Sequence, residues 1–401
     1  MKKASIGLGI IVLLVLAGGY YAFGYLGFWA VDYLDPGETV VLDREGEPVL
    51  DIPEDEAVQY ELEVFAEDFV VPWSIVFTSP NRALVTERNG NLRVIQNGEL
   101  VADPVHVFDE VSLGGEEGLM GLALDPQYDQ NKMIYLSYAY EEGSQMWVKV
   151  VRFVDEGDQL AQEETLLDKI PAAQYHAGCR LRFGPDGKLY VTTGDATERA
   201  LAQDMDSLAG KILRMNRDGS IPDDNPFPNS YIYSLGHRNP QGIDWFPGSD
   251  VMYSTEHGPS VFDGPAGGDE VNVIVAGGNY GWPRVSHGNN EEGLIAPEIV
   301  YTPAVAPGSG MFYTGNVFPQ YEGDFFFGML KGEGIMRVRV QKEDYSQVLL
   351  YEKMDGVDVG RVRDVAQGPD GFIYFSSSNM DGRGNVREGD DKIYRLVPRN
   401  S

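Results

Sequence analysis

The sequence predicts an all-β fold, a six-bladed β-propeller behind an N-terminal hydrophobic anchor helix. Three observations carry this. The 401 residues include 48 glycines, 23 prolines, 22 tyrosines and 18 phenylalanines, a mix that suits many tight turns. Long helical periodicity is absent after the N-terminal segment. An apolar strand, a turn of Pro-Asp-Gly type and a second strand recur six times.

The clearest copies are Leu181-Arg-Phe-Gly-Pro-Asp-Gly-Lys-Leu-Tyr-Val191 and Val365-Ala-Gln-Gly-Pro-Asp-Gly-Phe-Ile-Tyr-Phe375. Looser copies run over Ile75–Glu87, Gly121–Tyr138, Ile243–Glu256 and Asn316–Met329. Proline fixes φ in such a turn and glycine takes the left-handed position. Units recurring every 40 to 70 residues, roughly, read as four-stranded blades and are too many for one sandwich. A propeller must close its ring, so the strand near Tyr60–Phe65 is expected beside Lys392–Val397.

The N-terminus is different. Lys2 and Lys3 are followed by no charged residue until Asp32, and Ile6 to Phe23 is apolar. Such a run is long enough to span a bilayer, with the lysines cytoplasmic and the remainder outside. Residues 1–31 are therefore expected to be a membrane anchor. A signal segment cut near Ala17–Gly19 is the alternative, and it too exports the main domain to the periplasmic or extracellular side. Residues 32–57 read as an acidic linker, and 58–401 as the propeller.

Asp plus Glu number 62 against 31 Lys plus Arg, a net charge of −31. That surface repels phosphates, so nucleic acid is excluded as a partner. The single cysteine, Cys179, allows no internal disulfide and lies in an apolar strand pattern, as a buried structural thiol would.

In so acidic a chain, clustered polar and basic residues near the blade turns need a reason. His176 precedes the third blade's inner strand, and Asp195 follows that blade's second strand. Imidazole can accept a proton near neutral pH, and the carboxylate could orient it. Arg238 and Asn239 lie in Gly236-His-Arg-Asn-Pro-Gln-Gly242; the arginine offers a planar fork. Gly258 and Pro259 stand in a glycine-rich stretch whose carbonyl and carboxylate oxygens suit Ca²⁺. Lys331, Arg361 and Arg363 precede different blades' strands, and with Arg238 they could converge on the channel. A ligand with several negative charges explains four such cations; ion pairing to Glu333 or Asp364 is the alternative.

The ordered set of motifs resembles the glucose/sorbosone dehydrogenase family of soluble quinoproteins over about residues 65 to 397. It comprises Val71-Pro-Trp, Thr86-Glu-Arg, Gly118-Leu-Met-Gly-Leu-Ala, His176 with Arg-Leu-Arg-Phe-Gly-Pro-Asp-Gly, and Gly210-Lys-Ile-Leu-Arg. Gly236-His-Arg-Asn-Pro-Gln-Gly, Gly258-Pro, Gly268-Asp-Glu-Val-Asn and Gly278-Asn-Tyr-Gly-Trp-Pro complete it. The resemblance implies a six-bladed propeller that binds pyrroloquinoline quinone (PQQ) and Ca²⁺. It implies that His176 is the catalytic base and Asp195 its partner, and that Arg238 and Asn239 touch the cofactor. Lys331, Arg361 and Arg363 match the clamp on its carboxylates. Gly258 and Pro259 match carbonyl ligands of the cofactor's Ca²⁺, and Glu270 and Tyr280 match ligands of a further Ca²⁺. Glu116 departs from the family, where many members have Gln; a carboxylate there repels an anionic cofactor unless it is protonated or turned toward a cation.

The implied reaction is oxidation of an aldose sugar at its anomeric carbon to the lactone, with re-oxidation by a separate electron acceptor. The chain is expected to act as a monomer or homodimer. A calcium-dependent propeller lactonase and a non-catalytic anchored propeller that binds a partner protein are the alternatives.

Overall fold

The computed structural model describes residues 40–41, 58–342 and 344–399. The anchor expected over 1–31, and all of the 32–57 linker except 40–41, lie outside the described residues. Among the described residues no helix is long and apolar enough to cross a membrane.

Six antiparallel sheets form the blades. Their inner strands are Pro72–Ser79, Leu119–Leu124, Gly178–Phe183, Pro240–Trp245, Pro307–Phe312 and Val362–Gln367, in chain order blades 1 to 6. Each packs on the next around the ring, and the sixth returns to the first. Tyr60–Ala66 pairs antiparallel with Ile393–Pro398, so blade 6 takes its outer strand from the domain's start and the ring is latched. Val40–Val41 adds an edge strand to blade 4 against Ile299 and Val300.

One apolar cluster fills each gap between neighbouring blades. Tyr135, Val148, Leu181, Val191 and Leu213 fill the gap between blades 2 and 3; Tyr253, Val271, Phe325 and Val338 fill that between blades 4 and 5. These buried side chains are the main stabilising term. Cys179 is buried in the first of these clusters, and burial pushes its thiol up.

The turn motif has a physical basis. In blade 3 the Asp186 carboxylate accepts bonds from Lys188 N at 3.0 Å and from the Tyr190 hydroxyl at 3.0 Å. Asp370 does the same in blade 6 with Phe372 N and Tyr374, and Gly187 and Gly371 take φ of 70° and 82°. Near the axis space is scarce: a Cβ on Gly121 would lie 2.2 Å from Cys179 O, and one on Gly242 would lie 2.4 Å from Gly310 N. Hydroxyls stitch neighbouring blades there, Thr86 to Met120 O, Ser137 to Cys179 O and Thr255 to Gly308 O.

The fifth copy differs from the expectation. Its inner strand is Pro307–Phe312, and Asn316 falls in the link that leads through Pro319–Tyr321 to Phe325–Met329. The sequence Pro-Gly-Ser-Gly reads as a loop, but crowding at the axis makes it a strand.

Candidate active site

Inner strands run away from one end of the ring, here called the mouth. The segments entering inner strands and those joining second to third strands therefore meet at the mouth. Glu116, His176, Arg238, Asn239 and Arg361 lie on segments of the first kind, and Asp195, Gly258, Pro259 and Lys331 on the second. Arg363 is the second residue of the sixth inner strand. The Pro-Asp-Gly turns all lie at the opposite end.

His176 Nδ1 is 2.7 Å from Asp195 Oδ1, and the Asp195 side chain is fully buried. Asp195 Oδ1 also accepts Thr197 N at 2.8 Å, and Oδ2 accepts Trp282 Nε1 at 2.8 Å. Three groups hydrogen-bonded around one carboxylate hold its orientation. In the tautomer that donates from Nδ1 to Asp195, Nε2 is the ring nitrogen left to accept a proton. Gly194 packs so tightly that a Cβ would sit 1.9 Å from His176 O, and His176 itself takes φ of 60°, strain of the kind that functional sites hold.

Trp282 has no assigned role in the sequence reading. It arrives on the long link between the third and fourth strands of blade 4. That link climbs back along blade 3 through a parallel bridge from Asn279 to Leu235.

Asn239 and Glu116 sit beside this pair. Glu116 Oε2 accepts His176 N at 3.3 Å and Asn239 Nδ2 at 3.2 Å, and Oε1 accepts Arg383 Nη1 at 3.1 Å. Burial alone would raise this carboxyl. The charges of His257, Arg383, His176 and Arg363 outweigh it and hold the group at about 2. Burial keeps His257 itself below its ordinary value. Glu116 is therefore ionised and turned toward cations.

Arg238 Nε donates to Asp263 Oδ2 at 2.8 Å, and Nη1 donates to His257 O at 3.2 Å. Its guanidinium lies 5.6 Å from the Trp282 ring centre. Arg361 donates to Asp381 Oδ2 at 2.9 and 2.7 Å and to Leu330 O at 2.8 Å. Arg363 Nη1 donates to Gln241 Oε1 at 3.2 Å, while its buried Nε has no partner among the described residues. Burial pushes the Arg363 guanidinium down to about 10; Asp381 opposes this, and Arg361 and Arg88 add to it. Lys331 is exposed on the neighbouring loop, anchored through its N–H to Val305 O.

The cations thus gather at one end, but several are ion-paired. Their acids are Asp263 and Asp381, not the Glu333 and Asp364 named in the ion-pairing alternative. Asp364 pairs instead with Arg180 at 3.0 Å.

The blade 4 residues are split. Gly258 N donates to Asp269 Oδ1 at 2.8 Å, and Pro259 O accepts a long bond from Gly267 N at 3.3 Å. Glu270 is raised by burial and by Glu256 beside it, and the neighbouring Asn272 Oδ1 is buried without a partner among the described residues. The Tyr280 hydroxyl is already committed, donating to Val273 O and accepting Val275 N; its ring stacks on His237. Among the described residues no group of three or more His, Cys, Asp or Glu side chains forms a metal-holding cluster. A cavity of about 700 Å³ lies at the turn end, lined by Asp125, Asp186, Lys188 and Arg217. Asp125 and Asp186 there are paired with Arg217 and Arg214, and the cleft lies at the opposite end of the ring from the mouth.

The family model described as Glucose / Sorbosone dehydrogenase matches residues 69–393. The Aldose sugar dehydrogenase YliI of Escherichia coli K12 is 33% identical over 370 residues, 84% of this chain and 93% of that protein. Quinoprotein glucose dehydrogenase B of Acinetobacter calcoaceticus is 32% identical over 267 residues, 58% of this chain and 54% of that protein. The PQQ-bound aldose sugar dehydrogenase of Streptomyces coelicolor superposes with a TM-score of 0.74 at 30% identity, covering 86% of this chain and 99% of that one.

Proposed function

This chain belongs to the glucose/sorbosone dehydrogenase family, and on that premise we propose that it oxidises aldose sugars at the anomeric carbon with bound PQQ and Ca²⁺. The observation that carries the reading is the meeting at one mouth of the His176–Asp195 pair with guanidinium groups from separate blades.

The residues fit an anionic cofactor. A buried guanidinium with an unpartnered Nε, crowded by Arg361 and Arg88, is a cationic surplus that ligand carboxylates would relieve. Arg361, Arg363 and Lys331 would hold those carboxylates, and Arg238 and Asn239 would contact the ring system. Glu116 is neutralised by Arg383 and gives the cofactor no bare charge to meet. The carbonyls of Gly258 and Pro259 are hard oxygen donors of the kind Ca²⁺ takes. Buried Glu270 with the orphaned Asn272 oxygen would suit a second cation, for which the committed Tyr280 hydroxyl is a poor ligand.

When bound, PQQ supplies a two-electron acceptor and Ca²⁺ a Lewis acid. The protein's part is proton handling and position. His176 Nε2 takes the proton of the anomeric hydroxyl, and the imidazolium so formed is stabilised by Asp195 through Nδ1. Trp282 and Thr197 keep that carboxylate in register. Arg238, fixed between Asp263 and His257 O, directs its charge at the reacting oxygen. A membrane-anchored domain on the outer side is the placement we propose from Lys2, Lys3 and the apolar run after them.

The test is reconstitution of purified protein with PQQ and Ca²⁺ and dye reduction across an aldose panel, with the lactone identified by mass spectrometry. Sugar-dependent reduction that needs both additions supports the reading. Lactone hydrolysis without quinone would replace it with the lactonase.

A further inference from the structure

The mouth loops carry apolar side chains that the reaction does not use. Phe262 is 89% exposed, and it directly precedes Asp263, whose carboxylate holds Arg238. Leu113, Tyr175, Met205, Val261 and Met380 are exposed too. Each lies on a segment that enters an inner strand or joins a second strand to a third, so all project at the same end. Exposed carboxylates stand on the same set of loops: Glu198, Asp204, Asp206, Asp355, Asp358 and Glu388. Apolar groups left in water and rimmed by charge mark a protein contact surface.

We propose that this face docks a small basic electron-carrier protein, whose apolar patch packs on Phe262 and Tyr175 and whose positive rim meets the surrounding carboxylates. The proposal rests on the sugar-oxidation reading and names the partner class that reading leaves open. Each sugar oxidised to its lactone gives up two electrons and two protons. Two molecules of a one-electron carrier take one electron each, and the protons pass to water. On these loops the exposed carboxylates outnumber the exposed cations Arg199, Lys331, Arg383 and Arg387, and in a chain of net charge −31 that excess favours a basic protein over an acidic one, an anionic lipid surface or a second copy of this chain. A small dissolved oxidant would need no apolar landing surface.

The test uses the full chain loaded with PQQ and Ca²⁺, a basic cytochrome c as the probe carrier, and a small redox dye as control. Binding of oxidised cytochrome is also measured by calorimetry on cofactor-free protein at low and high salt. Cytochrome is expected to bind at low salt and to loosen steeply as salt rises. Phe262→Ser, and separately Asp204→Lys with Asp206→Lys, are expected to weaken cytochrome binding and cytochrome reduction about tenfold, the scale of a contact hot spot, with dye reduction unchanged. Dye reduction without salt-sensitive cytochrome binding, or binding that both variants leave intact, overturns this proposal alone. So does a self-association of the chain that Phe262→Ser abolishes. A wild type that reduces no dye with any sugar overturns the sugar-oxidation reading and this proposal with it.

Discussion

Replacing Asp195 with Asn changes one atom and breaks an arrangement that accepts three donors. Oδ1 takes His176 Nδ1 at 2.7 Å and Thr197 N at 2.8 Å, and Oδ2 takes Trp282 Nε1 at 2.8 Å. An amide has one acceptor oxygen, so its NH₂ must face one of these donors. If it faces Trp282, two buried N–H groups oppose each other, at a cost of about 1–3 kcal/mol in stability. If it faces His176, Nδ1 must become the acceptor, the proton moves to Nε2, and the base is lost. Either way turnover falls, by about 100-fold to 10,000-fold on the scale of general-base and tautomer losses. The assay is steady-state dye reduction on protein reconstituted with PQQ and Ca²⁺, with cofactor affinity measured separately. Sugar KM and cofactor binding are expected to change little. Asp195→Asn protein that turns over within threefold of wild type would refute the role given to the pair.

Arg363→Met should leave the cofactor-free fold intact or raise its Tm slightly, since a crowded buried cation is removed, while PQQ affinity falls at least ~10-fold for loss of a charge-assisted contact; calorimetric titration checks both. Glu116→Gln tests the acid range. The group sits near 2 in the fold, below the ordinary value of about 4.3. Its stabilising share is thus complete above the unfolded value and is lost as pH falls through the folded one. The Tm gap between wild type and Glu116→Gln should shrink as pH falls below the unfolded value toward pH 2. Removing residues 1–57 should leave a cooperative melt, whereas removing 1–66 takes the Tyr60–Ala66 latch from blade 6 and should abolish it, as circular dichroism would read. Chelation should silence reconstituted activity, with recovery on adding Ca²⁺.

What was legible in the sequence is what local chemistry determines. The Pro-Asp-Gly turns announce themselves because Asp186 and Asp370 each serve their own turn and a tyrosine four residues on. His176 and Asp195 were found because one blade supplies both. The inner strand Pro307–Phe312 was hidden, since its glycines answer to close approach at the axis and not to strand propensity. Asp263 and Arg383 carried no local signal, and Trp282 stood in the Gly278-Asn-Tyr-Gly-Trp-Pro motif with nothing local to give it a role. Trp282 reaches Asp195 across 87 residues, and Arg383 reaches Glu116 across 267. For the same reason Glu116 looked like an obstacle in the sequence, whereas the fold gives it a guanidinium.

The most direct measurement is a titration of PQQ, with Ca²⁺ present, into wild type, His176→Gln and Arg363→Met, each followed by sugar addition and an absorbance record of cofactor reduction. Wild type should bind and be reduced, the histidine variant should bind and stay oxidised, and the arginine variant should bind poorly. Wild type that takes up no quinone, or a histidine variant reduced by sugar at the wild-type rate, would contradict the assignment of the mouth as a quinone site served by His176.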